Sequence, residues 1–212
     1  MSQSLGEIVG QASESDAIAS QMRSFYAELD QTIAAHAPVC TNRGACCQFG
    51  RYGHRLYVTS VELGYFVRGL RAQWRPPAGD DACPYQVGGM CTAREHRPMG
   101  CRVFFCDPNA QHWQNEEYER QLAALKRIGA EHDVEYRYVE WLSALSEIEE
   151  NPGANLGISR DFKPVFEAPE SVDPPRGFVL ELTQVRQTDS HRQQGAAQHG
   201  GNVPSTRESH AD

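Results

Sequence analysis

The chain has 212 residues, of which 40% are hydrophobic and 23% are charged, and its formal net charge is −8. This length suits one domain with or without tails, and the hydrophobic fraction is sufficient for an ordinary buried core. The negative charge argues against a nucleic-acid surface, so we expect no nucleic-acid partner.

The N-terminal sequence, MSQSLGEIVGQASESD, lacks the basic start and apolar run that are typical of a signal peptide. No window of the chain approaches the roughly 18 apolar residues that a membrane helix needs. We therefore expect a soluble, cytoplasmic protein without membrane contact. Cysteines in the cytoplasm bind metal or react more often than they form disulfides.

The first predicted helix follows a polar beginning. Residues 1–15 are small and polar, and we expect them to form a flexible end. Apolar residues then recur at spacings of three and four, which predicts an amphipathic helix over residues 16–35. The alternating run HRLYVTS predicts a short strand. Thr59 stands three residues before Glu62, a capping box that predicts a helix reaching about Trp74.

The second half of the chain predicts two more helices, after Cys106. Their sequences are WQNEEYERQLAALKRIGAE and EYRYVEWLSALSEIEE, and both should pack against the loops that precede them. The run GFVLELTQV predicts an edge strand. Residues 187–212 have almost no large apolar side chain and are predicted to be disordered. The folded domain is therefore expected to span residues 16–186.

Sulfur is concentrated in one part of the chain. The cysteines are Cys40, Cys46, Cys47, Cys83, Cys91, Cys101 and Cys106. Four thiolates bind either one tetrahedral Zn²⁺ or one iron–sulfur cluster. Only Cys101-x4-Cys106 has the spacing of a zinc knuckle, and aromatic residues beside the cysteines would shield a cluster from water. Both features slightly favour iron–sulfur; the aromatic residues are Phe49, Tyr85, Phe104 and Phe105.

The cysteines occupy the basic part of the sequence. From Cys40 to Cys106 there are nine Arg, no Lys, two Asp and two Glu, a balance of +5, so the remainder of the chain carries −13. Positive neighbours favour thiolate over thiol, and thiolate is the form that binds metal or attacks an electrophile.

The segments CTNRGACC, YVTSVELGYF and CPYQVGGMCTAREHRPMGCRVFFC resemble the YkgJ-like cysteine-cluster family, described as a zinc- or iron-chelating domain. The family signature is approximately Cys-x2-Cys-x2-Cys-Cys, a Thr-x2-Glu helix start, Cys-Pro-Phe, Gly-Cys-x-Ile-Tyr and Arg-Pro-x2-Cys-Arg. The resemblance covers about residues 40–106. It implies a chelating role for the cysteines but no particular reaction. The positions that match are Cys40, Cys46, Cys47, Cys83, Cys91, Cys101, Arg97, Pro98 and Arg102.

One position departs from the signature. Arg43 stands where the family has its second cysteine, so either Cys106 replaces that sulfur or the site uses only the others. Arg43 would then offset the negative charge of a thiolate site. Arg97 and Arg102 are expected to donate hydrogen bonds to sulfur or to carbonyl groups that shape the loop, and Pro98 to fix the backbone before Cys101.

These patterns predict a small, mainly α domain with irregular cysteine-rich loops and at most short strands, stapled by a metal ion or cluster. The favoured function is chelation of an iron–sulfur cluster or Zn²⁺ by the seven cysteines. The alternative is a redox or cluster-dependent enzyme, or an accessory protein to one, that uses the cluster or a spare thiolate. A disulfide-stapled module is disfavoured by the odd cysteine count. The sequence indicates no protein partner, and the lone histidines His36, His54 and His96 are weak candidates for a ligand or base.

Overall fold

The regular structure begins with two helices that are separated by a single residue, Ser15. The computed structural model describes residues 3–40, 44–153 and 156–159. Within them the fold is mainly helical, as predicted. Its helices are α1 (Leu5–Glu14), α2 (Asp16–Ala35), α3 (Phe49–Tyr52), α4 (Ser60–Leu70), α5 (Gly100–Val103), α6 (Gln111–Glu131) and α7 (Trp141–Glu150). Short 3-10 turns occupy Ala45–Cys47, Arg71–Gln73 and Pro108–Ala110.

Two small antiparallel pairings complete the described fold. Strand β1 (Tyr57–Thr59) pairs with β4 (Tyr138–Glu140), and β2 (Gln86–Val87) pairs with β3 (Met90–Cys91). The β1 strand follows the predicted alternation. Tyr138, which the sequence assigned to a helical face, instead lies opposite Thr59 in β4. The helix starts only after Glu140, whose side chain accepts a 2.8 Å hydrogen bond from the Ser143 N–H.

The expectation of a flexible end at residues 1–15 is corrected by helix α1. Its start is a full capping box, since Ser4 accepts from the Glu7 N–H and the Glu7 carboxylate accepts from the Ser4 N–H at 2.8 Å. Ile8 is only 1% exposed. The small residues of this segment allow α1 to lie close against α4, so their size reflects tight packing.

Helix α4 lies between two groups of buried side chains. Its Val61 and Tyr65 belong to a first core formed mainly with α2 and α6. Its Leu63 and Phe66 belong to a second core formed with α7 and the segments that carry Cys83, Cys91 and Cys101. Helix α7 thus packs near the segments that carry Cys83, Cys91 and Cys101, and α6 contacts α5, which contains Cys101. Both helices after Cys106 therefore pack near cysteine-bearing segments, as predicted.

Two sequence predictions fall outside the described residues. These are the edge strand in GFVLELTQV and the disordered tail over 187–212. The boundary of the folded domain at residue 186 lies there as well.

Candidate metal centre

The first pair of sulfurs sits on a tight turn. Cys46 and Cys47 form the 3-10 turn that begins after Gly44, whose φ of +68° lies in the left-handed region. A Cβ at Gly44 would lie 2.7 Å from the Gly89 carbonyl oxygen, so only glycine fits there. The Gly44 carbonyl accepts a 2.8 Å hydrogen bond from the Gln86 side-chain amide.

Backbone hydrogen bonds join this turn to the next cysteine-bearing segment. The Cys83 N–H donates to the Cys47 carbonyl at 2.8 Å, and the Gly50 N–H donates to the Asp81 carbonyl at 2.9 Å. These bonds hold the two segments side by side, although Cys47 and Cys83 are thirty-six positions apart in the sequence. The main chain alone therefore brings these two cysteines together, without a metal.

A hairpin and a helical turn supply the remaining two sulfurs of the group. Gly88 and Gly89, with φ of +58° and +77°, make the turn between β2 and β3, and Cys91 pairs with Gln86 across the hairpin. Cys101 lies in α5, where its N–H donates to the Pro98 carbonyl at 3.0 Å. Pro98 thus shapes the turn before this cysteine.

Five thiols interact with one another, and we name them the sulfur cluster: Cys46, Cys47, Cys83, Cys91 and Cys101. The Cys47 thiol hydrogen-bonds with the sulfurs of Cys46 and Cys83. That hydrogen bond is the main reason that the pKa of Cys46 falls to about 7, with the positive charges of Arg97 and Arg94 acting in the same direction.

The thiols of the cluster differ in their preferred protonation state. The pKa of Cys83 is lowered, chiefly by the hydrogen bond from Cys47 and then by the Tyr85 backbone N–H and the Trp141 indole. The pKa of Cys47 is raised because its proton is held between two sulfurs. Burial raises the pKa of Cys91 and Cys101, and the neighbouring sulfurs raise both further. A cation among these groups would favour thiolate at every position.

Two buried donors face this region without a conventional acceptor. Among the described residues, neither the Trp141 Nε1 nor the Arg97 Nε has a hydrogen-bond partner of oxygen or nitrogen, although both atoms are inaccessible to solvent. Both groups favour negative charge on the sulfurs, Trp141 at Cys83 and Arg97 at Cys46. The surroundings therefore suit an anionic sulfur centre, as a thiolate-bound metal would be.

The aromatic shell divides between the two cores. Phe49, Tyr85 and Trp141 pack in the second core, against which Cys83, Cys91 and Cys101 also pack. Phe104 and Phe105 pack against the first core instead. Half of the aromatic residues that the sequence assigned to the site therefore line it, and Trp141, ninety-five positions from Cys46, joins them without any local signal.

The other predicted site residues lie in varied places. Cys40 is exposed and Cys106 is half-buried. The Val39 N–H donates to the Asp107 carboxylate at 3.2 Å, which ties the residue before Cys40 to the residue after Cys106. Arg43 lies outside the described residues.

Arg102 and the histidines have contacts of their own. Arg102 donates to the carbonyls of Arg97 and Glu95 at 3.0 and 2.6 Å, so it shapes the loop. His54 contacts the Cys46 carbonyl at 3.2 Å. The other two candidate histidines pack against aromatic rings, His36 on Trp113 and His96 on Tyr65.

Within the described ranges, no group of three or more His, Cys, Asp or Glu side chains has the arrangement of a metal-ligand set. The Cys47 thiol is hydrogen-bonded to the sulfurs of Cys46 and Cys83. Comparison with protein-family models, with curated proteins and with solved structures finds no match. The likeness to the YkgJ-like family thus stays a prediction that rests on the residues quoted above.

Proposed function

We propose that this is a metal-binding protein whose clustered cysteines chelate an iron–sulfur cluster or Zn²⁺. The observation that carries the proposal is the convergence of five thiols from four separate segments: the turn at Cys46–Cys47, and the surroundings of Cys83, Cys91 and Cys101. Thiolate is the soft ligand that both centres prefer. Five sulfurs exceed the four that one centre requires.

The cysteines and the neighbouring donors would have different roles in binding such a centre. Cys46 and Cys83 lose their protons most readily and would bind first, while Cys47, Cys91 and Cys101 would release theirs to the incoming cation. Rotation about Cα–Cβ bonds would turn the hydrogen-bonded thiols toward a common point. The Trp141 and Arg97 N–H groups would donate to the anionic sulfurs, as outer donors do in metalloproteins.

Iron–sulfur is favoured over zinc by the apolar wall. Phe49, Tyr85 and Trp141 are each 2% exposed or less and belong to the core against which Cys83, Cys91 and Cys101 pack. Such a wall excludes water and would tune the potential of a cluster. A bound metal would also staple the irregular segments between the cysteines. A cytoplasmic location would keep the thiols reduced.

A redox or enzymatic use of the sulfur is the second candidate. Cys46 is exposed, and its pKa of about 7 makes a large share of it thiolate at neutral pH. If four other sulfurs bind the centre, Cys46 would remain free to react.

The experiment is purification without oxygen, followed by elemental analysis for iron, zinc and sulfide and by an absorption spectrum. We expect bound metal in wild type and a large loss in Cys47→Ser, Cys91→Ser and Cys101→Ser. Met90→Ser is the matched control, because Met90 precedes Cys91 in the same strand and is 69% exposed. Wild type that stays metal-free even after reconstitution with iron and sulfide, or with zinc, would refute the proposal.

A further inference from the structure

A cleft lined by arginine and tyrosine opens beside the sulfur cluster. It has a volume of about 680 Å³, and its lining includes four arginines, Arg23, Arg94, Arg97 and Arg102. Tyr26 and Tyr65 contribute the aromatic part of the wall, and the acidic lining residues are Asp30 and Glu95. The four positive and two negative groups give +2, in a chain whose net charge is −8.

One arginine forms the floor of the cleft and is fully engaged. Arg102 is 5% exposed, and its guanidinium lies 4.1 Å from the centre of the Tyr26 ring. It forms an ion pair of 2.6 Å with Asp30 and donates to two carbonyl groups. The charge of Arg102 is therefore balanced by Asp30. Glu95 is the other acidic residue in the lining, beside Arg23, Arg94 and Arg97.

The other three arginines differ from Arg102 in their contacts. Among the described residues, the side chains of Arg23, Arg94 and Arg97 form neither a hydrogen bond nor an ion pair with another residue. The Arg97 Nε is inaccessible to solvent and is the donor assigned above to the sulfurs, so Arg97 would serve the cleft through its terminal N–H groups. Arg23 and Arg94 are exposed, so a ligand in the cleft can reach their guanidinium groups, and a guanidinium without a protein acceptor is a ready donor to an oxyanion.

Tyr65 adds a neutral donor to the same wall. Burial raises the pKa of its phenol, which therefore stays protonated at neutral pH. Its hydroxyl forms no hydrogen bond to any other described residue, so the O–H is available to a ligand.

We propose that this cleft, formed by Arg23, Arg94, Arg97 and Tyr65, binds a small molecule that carries a phosphate group. Guanidinium forks bind phosphate oxygens in pairs, and three arginines that share one acidic neighbour in the lining, Glu95, suit a dianion better than a single carboxylate. A phosphate monoester carries about −1.5 to −2 at pH 7. The cleft is larger than a phosphate ion, which leaves room for an organic group against the tyrosine rings.

The cleft adjoins the proposed metal centre, but phosphate binding can be tested separately from metal binding. Isothermal titration of the as-purified protein at constant ionic strength would use inorganic phosphate, phenyl phosphate and benzoate. We expect saturable binding of both phosphates. The affinity for benzoate should be lower by about tenfold or more, since benzoate offers one charge to the same donors. Equal affinity for benzoate would overturn the phosphate assignment.

Variants identify the cleft as the place of binding. Arg23→Gln and Arg94→Gln should each weaken phosphate binding by about tenfold, the size of one lost charge-assisted hydrogen bond. Arg127→Gln is the matched control, because Arg127 is exposed on α6 and does not line the cleft. Metal content measured on the same samples should stay constant. Absence of saturable binding, or an equal loss in Arg127→Gln, would overturn the proposal.

Discussion

The carboxylate of Glu62 accepts a hydrogen bond of 2.8 Å from the backbone N–H of Met99, which lies 37 positions further along the chain. The same carboxylate caps α4 by accepting from the Thr59 N–H at 2.8 Å and from its hydroxyl at 2.9 Å. Tyr26 of α2 donates to it as well, at 3.4 Å. One buried side chain thus joins two helices to the backbone that leads into Cys101.

Glu62→Ala should lower the free energy of unfolding by about 3 kcal/mol. The substitution removes a helix cap and leaves the Met99 N–H and the Tyr26 hydroxyl without an acceptor in a buried place. Denaturant unfolding measures the loss. Glu116→Ala, at an exposed position of α6, is the control and should change stability by less than about 0.5 kcal/mol. Similar losses in the two variants would contradict the assigned role.

The same carboxyl group predicts a pH dependence of stability. Burial raises the pKa of Glu62 above its ordinary value of 4.5. The folded state therefore holds this proton at pH values where the unfolded chain has released it, so the contribution of Glu62 to stability falls as pH rises from 4.5 through the folded pKa.

The measurement is the unfolding free energy of wild type minus that of Glu62→Gln, since the amide has no such titration. We expect this difference to decrease as pH is raised above 4.5 and then to level off. Other carboxyl groups cancel in the subtraction. A difference that increased with pH would show that the hydrogen bonds to the carboxylate outweigh its desolvation.

Much of the helical framework could be read from local patterns. The 3.6-residue period placed α2 at residues 16–35, and the Thr59–Glu62 capping box placed the start of α4, because both signals lie within one turn or one face of a helix. Helix α1 carried a similar capping signal in Ser4 and Glu7, but its small residues suggested a loose end.

The candidate site was less accessible to sequence reasoning because it depends on distant contacts. Nothing in the run around Trp141 indicates that its indole lies beside Cys83. The pairing of β1 with β4 joins residues about eighty positions apart and took Tyr138 away from the helix that its spacing suggested. Clustering of arginines was visible in the composition, whereas the cleft that gathers Arg23 with Arg94 required the fold.

Trp141→Phe should weaken metal binding by about tenfold, as loss of an outer hydrogen-bond donor to a ligand commonly does. The Trp141 indole N–H favours the thiolate of Cys83, so its removal should also raise the pKa of that thiol. Two measurements apply: competition with a chelator, and the pH dependence of alkylation of Cys83 in metal-free protein. The second readout is independent of the metal proposal.

Trp74→Phe is the matched control for this prediction. Trp74 is buried in the same core, but its indole N–H donates to the Glu149 carboxylate at 2.8 Å. It should therefore lose a similar amount of packing without changing the alkylation profile of Cys83. If both tryptophan variants shifted that profile equally, the effect would be a general loosening of the core.

Gly64→Ala should destabilise the protein by about 2 kcal/mol, even though alanine is the better helix former. A Cβ at Gly64 would lie 2.5 Å from the Ala12 Cβ, so α1 would have to move away from α4. Gly129→Ala in α6 is the matched control, because its Cβ would meet only the Val134 carbonyl oxygen at 3.6 Å. That variant should gain up to about 1 kcal/mol from helix propensity. Denaturant midpoints at unchanged slope give both values, and adding Ala12→Gly to Gly64→Ala should recover part of the loss. Two alanine variants that were both more stable than wild type would show that α1 does not pack on α4 as the structure has it.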